Sequence, residues 1–100
     1  MERTETFPWD PAERMKTPED IAAYLDAALE DGDPAVVSAV LGDIARAKGM
    51  TDIAKSTGLG RASLYKALSP DGHPELATVL KVVHALGLRL TTAPVTPQGL

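Results

Sequence analysis

The stretch Met50-Thr51-Asp52-Ile53-Ala54-Lys55-Ser56-Thr57-Gly58-Leu59-Gly60-Arg61-Ala62-Ser63-Leu64-Tyr65-Lys66-Ala67-Leu68 constrains this chain more than any other. It holds two short apolar periodicities with glycine between them. Ile53 and Ala54 sit on the inner face of a first helix. Leu64, Ala67 and Leu68 make the inner face of a second. Gly58 falls where the chain must turn sharply, and glycine tolerates a positive φ there. Leu59 plugs the turn, and the small Ala54 lets the two helices cross closely. The spacing predicts a helix-turn-helix. In that motif the outer face of the second helix lies in the DNA major groove.

A chain of 100 residues makes one small domain with a tail at each end. It contains no cysteine, which removes disulfides and thiolate metal sites and fits a cytoplasmic protein. No apolar run approaches the roughly 18 residues of a membrane span. The opening Met1-Glu2-Arg3-Thr4-Glu5-Thr6 has no signal-peptide pattern. The net charge of −4 looks wrong for a DNA binder, but its distribution is uneven. Residues 1–33 hold ten acids and three bases. Residues 34–69 hold two acids and five bases, so the positive third coincides with the helix-turn-helix. Local field governs attraction to phosphate more than overall charge does.

The chain reads as an N-terminal arm over 1–16, a helix-turn-helix domain over 17–92 and a C-terminal tail over 93–100. The arm is polar, with an isolated Phe7/Trp9 pair and no helical period. Thr17-Pro18-Glu19-Asp20 predicts a helix start: a capping threonine, a proline suited to the first position, and acids at the positive dipole end. Ile21, Tyr24, Leu25, Ala28 and Leu29 share one face, and Gly32 ends helix one. Asp33-Pro34 repeats the start signal, and helix two runs to Gly49. Thr51 is expected to cap helix three, over about 51–57. Helix four covers about 61–68. A turn-rich loop follows at Ser69-Pro70-Asp71-Gly72-His73-Pro74. Leu76, Val79, Leu80, Val83 and Leu86 mark helix five, closed by Gly87. Leu88-Arg89-Leu90-Thr91-Thr92 alternates and could form one short strand, paired with a dimer mate. The expected fold class is all-α, with five helices.

At about 100° per residue, Ala62, Tyr65, Lys66 and Ser69 fall opposite the apolar side of helix four, with Arg61 on the flank of its first turn. Arg61 is the best candidate for sequence readout, since guanidinium can bond guanine O6 and N7 together. Ala62 could meet a thymine methyl, and Lys66 could reach a base or a phosphate. Thr51, Ser63, Tyr65 and Ser69 are candidate phosphate ligands, as are free amides at the start of helix three. Taken alone, Arg61, Tyr65 and Lys66 could equally form an ordinary solvated face. The preceding turn, Gly58 and the local positive balance favour the DNA reading.

The run Ile53 to Ser69, followed by Asp71-Gly72-His73-Pro74, resembles the addiction-module antidote proteins. These are HigA-like antitoxins with a lambda-repressor-like, Xre-type domain. The resemblance continues through Val79 to Leu90, and upstream includes Ala23-Tyr24-Leu25 and Leu41-Gly42-Asp43-Ile44-Ala45-Arg46-Ala47, covering about 17–92. It implies a lambda-repressor-like fold and a two-gene module. Such antitoxins bind and silence a RelE/HigB-type toxin, usually an mRNA-cutting ribonuclease, and as homodimers repress their own operator DNA. Arg61, Ala62, Ser63 and Lys66 match base-facing positions of lambda-type repressors, and Ser69 matches a position near a phosphate. Asp52 departs from the pattern, being an acid beside the phosphates in the expected pose.

The acidic N-terminal third gains a reading from this resemblance. RNA-cutting toxins need a basic surface, which an acidic segment could cover by charge complementarity. Asp26, Glu30 and Asp31 would supply charge, and Phe7 and Trp9 would be apolar anchors of an arm that orders on binding. Alternatively, Trp9 packs on the chain's own core. Leu88 and Leu90, with exposed apolar residues of helix five, are the candidate dimer contacts. No metal or cofactor is expected: His73 and His84 are far apart, and no H-x-x-x-H, Gly-rich phosphate loop or nucleophile elbow occurs. No enzyme activity is expected. A stand-alone phage-type regulator and a purely toxin-blocking interaction module are the rival readings.

Overall fold

The computed structural model describes residues 17–95, which form five α-helices and no strand. Helix α1 spans Pro18–Asp31. Thr17 and Asp20 close a capping box: each side-chain oxygen accepts from the other residue's backbone N–H, at 3.0 and 3.1 Å. Pro18 follows at the first position, where a missing N–H costs nothing. Gly32 ends the helix at φ 79°. Helix α2 spans Pro34–Lys48 and starts on the Asp33 carboxylate, which accepts from Ala35 N–H at 2.9 Å. Arg46 and Lys48 complement its dipole in the last turn.

Helix α3 spans Met50–Thr57, so the expected cap at Thr51 is corrected. Gly49 is the N-cap, at φ 110°, and Thr51 lies exposed inside the first turn. The buried Met50 already belongs to the core, and that contact fixes the helix start one residue earlier than a hydroxyl cap would. Helix α4 spans Arg61–Ala67, and α5 spans Leu76–Ala85.

Helix α1 packs on α2, α2 on α3, and α3 on both α4 and α5. One core collects Ile21 and Leu25 from α1, Leu41 and Ile44 from α2, Ile53 from α3, Leu64 and Leu68 from the α4 segment, and Val82 and Val83 from α5. Leu29, expected on the inner face of α1, is instead 43% exposed.

The expected strand at 88–92 is not formed, and no strand occurs among the described residues. A single extended segment among helices has no ladder to join. The end of α5 also directs the chain elsewhere. Gly87 takes φ 81° and donates to the His84 carbonyl at 2.9 Å. Leu88 N–H donates to the Val83 carbonyl at 3.1 Å. Those two bonds are a Schellman motif, which turns Leu88 back onto the core. Leu90 stays at the surface, 36% exposed.

Candidate nucleic-acid interface

The outer face of α4 is held by three backbone devices. The first is the turn from α3. Gly58 adopts φ 74°, and its N–H closes α3 on the Ala54 carbonyl at 2.9 Å. Thr57 locks the same turn: its hydroxyl donates to the Ile53 carbonyl at 2.8 Å and accepts from Leu59 N–H at 3.3 Å. Leu59 packs partly buried against the core, as a turn plug should.

The second device is the close approach of α2 to the end of α4. Gly42 is buried, and a Cβ there would overlap the Leu68 carbonyl oxygen. Only glycine lets α4 sit at that depth. The third is Gly72, where a Cβ would overlap the Lys66 and Ala67 carbonyl oxygens. Gly72 N–H donates to the Ser69 carbonyl at 2.9 Å, so the loop folds tightly against the end of α4.

With Leu64 and Leu68 each 1% exposed, the opposite face must point out. Arg61, Ala62, Ser63, Tyr65 and Lys66 are all exposed. The Arg61 guanidinium lies over the Tyr65 ring, 5.9 Å from its centroid. A cation–π contact of this kind at an exposed site contributes about 0.5–1 kcal/mol, enough to bias the guanidinium toward Tyr65, one turn along α4. Ser69 is half-buried, and its hydroxyl donates to the Lys66 carbonyl at 2.9 Å, leaving its lone pairs to accept. Thr51 is exposed on α3 beside Asp52, which is also exposed. The α4 residues together offer a fork-shaped cation, an ammonium and hydroxyls on one exposed face. That donor set suits anionic oxygens and base edges.

The acids of α1 form a separate surface. Glu19, Asp20, Asp26, Glu30 and Asp31 give this helix five acids and no base, and Asp26, Glu30 and Asp31 are exposed. Phe7 and Trp9 lie outside the described residues. His73 and His84 are exposed on different elements. Among the described residues, no cluster of His, Asp and Glu is placed to hold a metal ion. No helix there is long and apolar enough to cross a membrane.

One polar constellation escaped the sequence reading. Tyr24 on α1 donates from its hydroxyl to Asp43 Oδ2 on α2 at 3.3 Å. Arg46 pairs with Asp43 Oδ1 at 2.6 Å. Burial, then the Asp43 charge, then this hydrogen bond raise the Tyr24 pKa above its ordinary 10.0. The cluster ties α1 to α2. Gly42, Thr57 and Gly72 were also missed as positioning residues. The glycines and the threonine were visible, but their partners are set by tertiary contact.

The described residues therefore define a small all-helical protein with an exposed basic face on α4 and an acidic first helix. The chain belongs to the family of probable addiction module antidote proteins, which matches residues 5–94. It is 44% identical over 81 residues to an uncharacterized protein of Haemophilus influenzae (strain ATCC 51907 / DSM 11121 / KW20 / Rd). That match covers 81% of this chain and 84% of the relative. No solved structure matches the chain. Membership of an antidote family supports an antitoxin role and implies a toxin partner of some kind.

Proposed function

We propose that this chain is the antitoxin of a type II toxin–antitoxin module. It neutralises a RelE/HigB-type mRNA-cleaving toxin by direct binding in the cytoplasm. It also represses its own operon by sequence-specific binding to operator DNA. The α3–turn–α4 unit acts as a lambda-repressor-like helix-turn-helix, with α4 in the major groove. The observation that carries this reading is the outward ridge of Arg61, Tyr65 and Lys66 on a short helix seated by Gly58 and Gly42.

Arg61, Ala62, Ser63 and Lys66 face the bases, and Thr51, Tyr65 and Ser69 face phosphates. The protein binds as a homodimer, since two units related by a dyad read a palindrome one helical turn apart. Leu76, 67% exposed at the start of α5, supports a contact between copies on that helix. The acidic first third, residues 1–33, holds the basic toxin and leaves α4 free for DNA.

A second reading has one observation in its favour. Asp52 stands exposed in the first turn of α3, where a phosphate would approach. It supports a toxin-blocking module that binds no DNA. A gel shift with the DNA upstream of the gene decides between them. A shift that weakens with salt, and exceeds that on random DNA, supports repression. No shift at low salt leaves only toxin blocking.

A further inference from the structure

A groove of about 350 Å³ runs between α1 and residues 88–91. Leu25, Leu29, Leu88 and Leu90 line it with apolar surface, together with Ala22 and Ala23. Asp26 and Arg89 bring charge to its walls. Leu29 and Leu90 are the two large leucines left open there, at 43% and 36% exposure. The groove exists because of the Schellman turn at Gly87, which sends the chain back alongside α1 instead of out into solvent.

From this geometry we infer that the groove between α1 and residues 88–91 is the docking site for the toxin, taking an apolar side chain flanked by basic residues. The inference rests on the antitoxin reading and adds the place of contact. Charge selects the occupant. Helix α1 presents five acids and no base, and Asp33 follows at the next turn. A second copy meeting this face across a dyad would gather two α1 helices of five acids each at one interface, and that like charge disfavours it. The chain's own residues 1–16 hold four acids and three bases, so they carry no cationic complement to α1. A basic partner complements the exposed Asp26, Glu30 and Asp31 and covers the leucines. This proposal gives Leu90 to the toxin in place of the dimer contact expected from the sequence, and leaves the second copy the start of α5, about 15 Å up that helix.

The full chain is titrated with the small basic protein encoded beside its gene. Two variants are compared with wild type, Ala23→Trp and Leu29→Asp. Both positions are at the surface, so neither change needs the core to move. We expect each to weaken toxin binding at least tenfold, with the upstream-DNA gel shift within twofold of wild type and sedimentation unchanged. Wild-type toxin affinity in both variants would overturn the groove while leaving the antitoxin reading intact. A change from dimer to monomer would assign the groove to a second copy. No binding by the wild type would overturn the antitoxin reading and the groove together.

Discussion

The close approach at Gly42 makes a prediction whose sign is unusual. In a free helix, Gly→Ala stabilises by about 1 kcal/mol through propensity. At Gly42 the new methyl would overlap the Leu68 carbonyl oxygen, and the Arg46 guanidinium would stand 3.2 Å away. The guanidinium can rotate aside. The peptide oxygen cannot, because Leu68 is 1% exposed and its N–H is tied to the Leu64 carbonyl at 2.9 Å. Overpacking of this kind costs roughly 1–3 kcal/mol, occasionally more, and a backbone obstacle belongs at the upper end. Allowing for the propensity gain, Gly42→Ala should destabilise by about 2 kcal/mol. For a domain of this size that lowers Tm by roughly 8–16 °C. Thermal and urea unfolding followed by circular dichroism measure it. Gly58→Ala is the control: nothing lies within 4 Å of its Cβ, so its cost is the left-handed φ alone, about 1–2 kcal/mol. A Gly42→Ala protein as stable as wild type, or more stable, would refute the contact that seats α4.

Other perturbations test separate parts of the account. Thr17→Ala removes the capping box of α1 and should cost about 1 kcal/mol in urea unfolding. Tyr24 should ionise above 10.0 when phenolate absorbance is titrated, and Tyr24→Phe should remove that phase. Because its pKa is raised in the fold, its contribution to stability is complete below pH 10.0 and falls as pH climbs through the folded value; stability that falls more steeply in this range for Tyr24→Phe than for wild type would contradict the burial of Tyr24 and its bond to Asp43. Deleting residues 1–16 should weaken toxin neutralisation in co-expressing cells and leave the gel shift largely intact. Equal rescue by the 17–100 fragment would remove the arm from the toxin interface.

Helix boundaries were largely legible because their signals are local. Thr17-Pro18 and Asp33-Pro34 start α1 and α2 through side-chain and ring chemistry within one turn. Gly32, Gly58 and Gly87 mark ends because each takes a positive φ. Thr51 misled as a cap because a buried neighbour, Met50, outweighs a hydroxyl at the surface. The alternation at 88–92 misled because period alone does not supply a pairing partner. The depth of α4 under α2, the Tyr24–Asp43–Arg46 cluster and the groove beside α1 were not legible. Each joins residues far apart in sequence, where no local pattern reports the contact. For the candidate site, the exposure of Arg61, Ala62, Tyr65 and Lys66 agrees with helical periodicity, Ser69 is half-buried instead, Ser63 is exposed without a signal from the period, and the glycines that hold α4 in place were not legible.

The central claim is that α4 reads operator sequence through Arg61. It is tested most directly by measuring wild type and Arg61→Ala on the upstream palindrome, on single base-pair substitutions of it, and on random DNA at one salt concentration. A bidentate guanine contact predicts a loss of roughly 1–3 kcal/mol on the palindrome and relaxed discrimination at one base position per half-site. Binding to random DNA should fall much less. Equal losses on the palindrome and on random DNA, with discrimination at every position unchanged, would contradict sequence readout by Arg61.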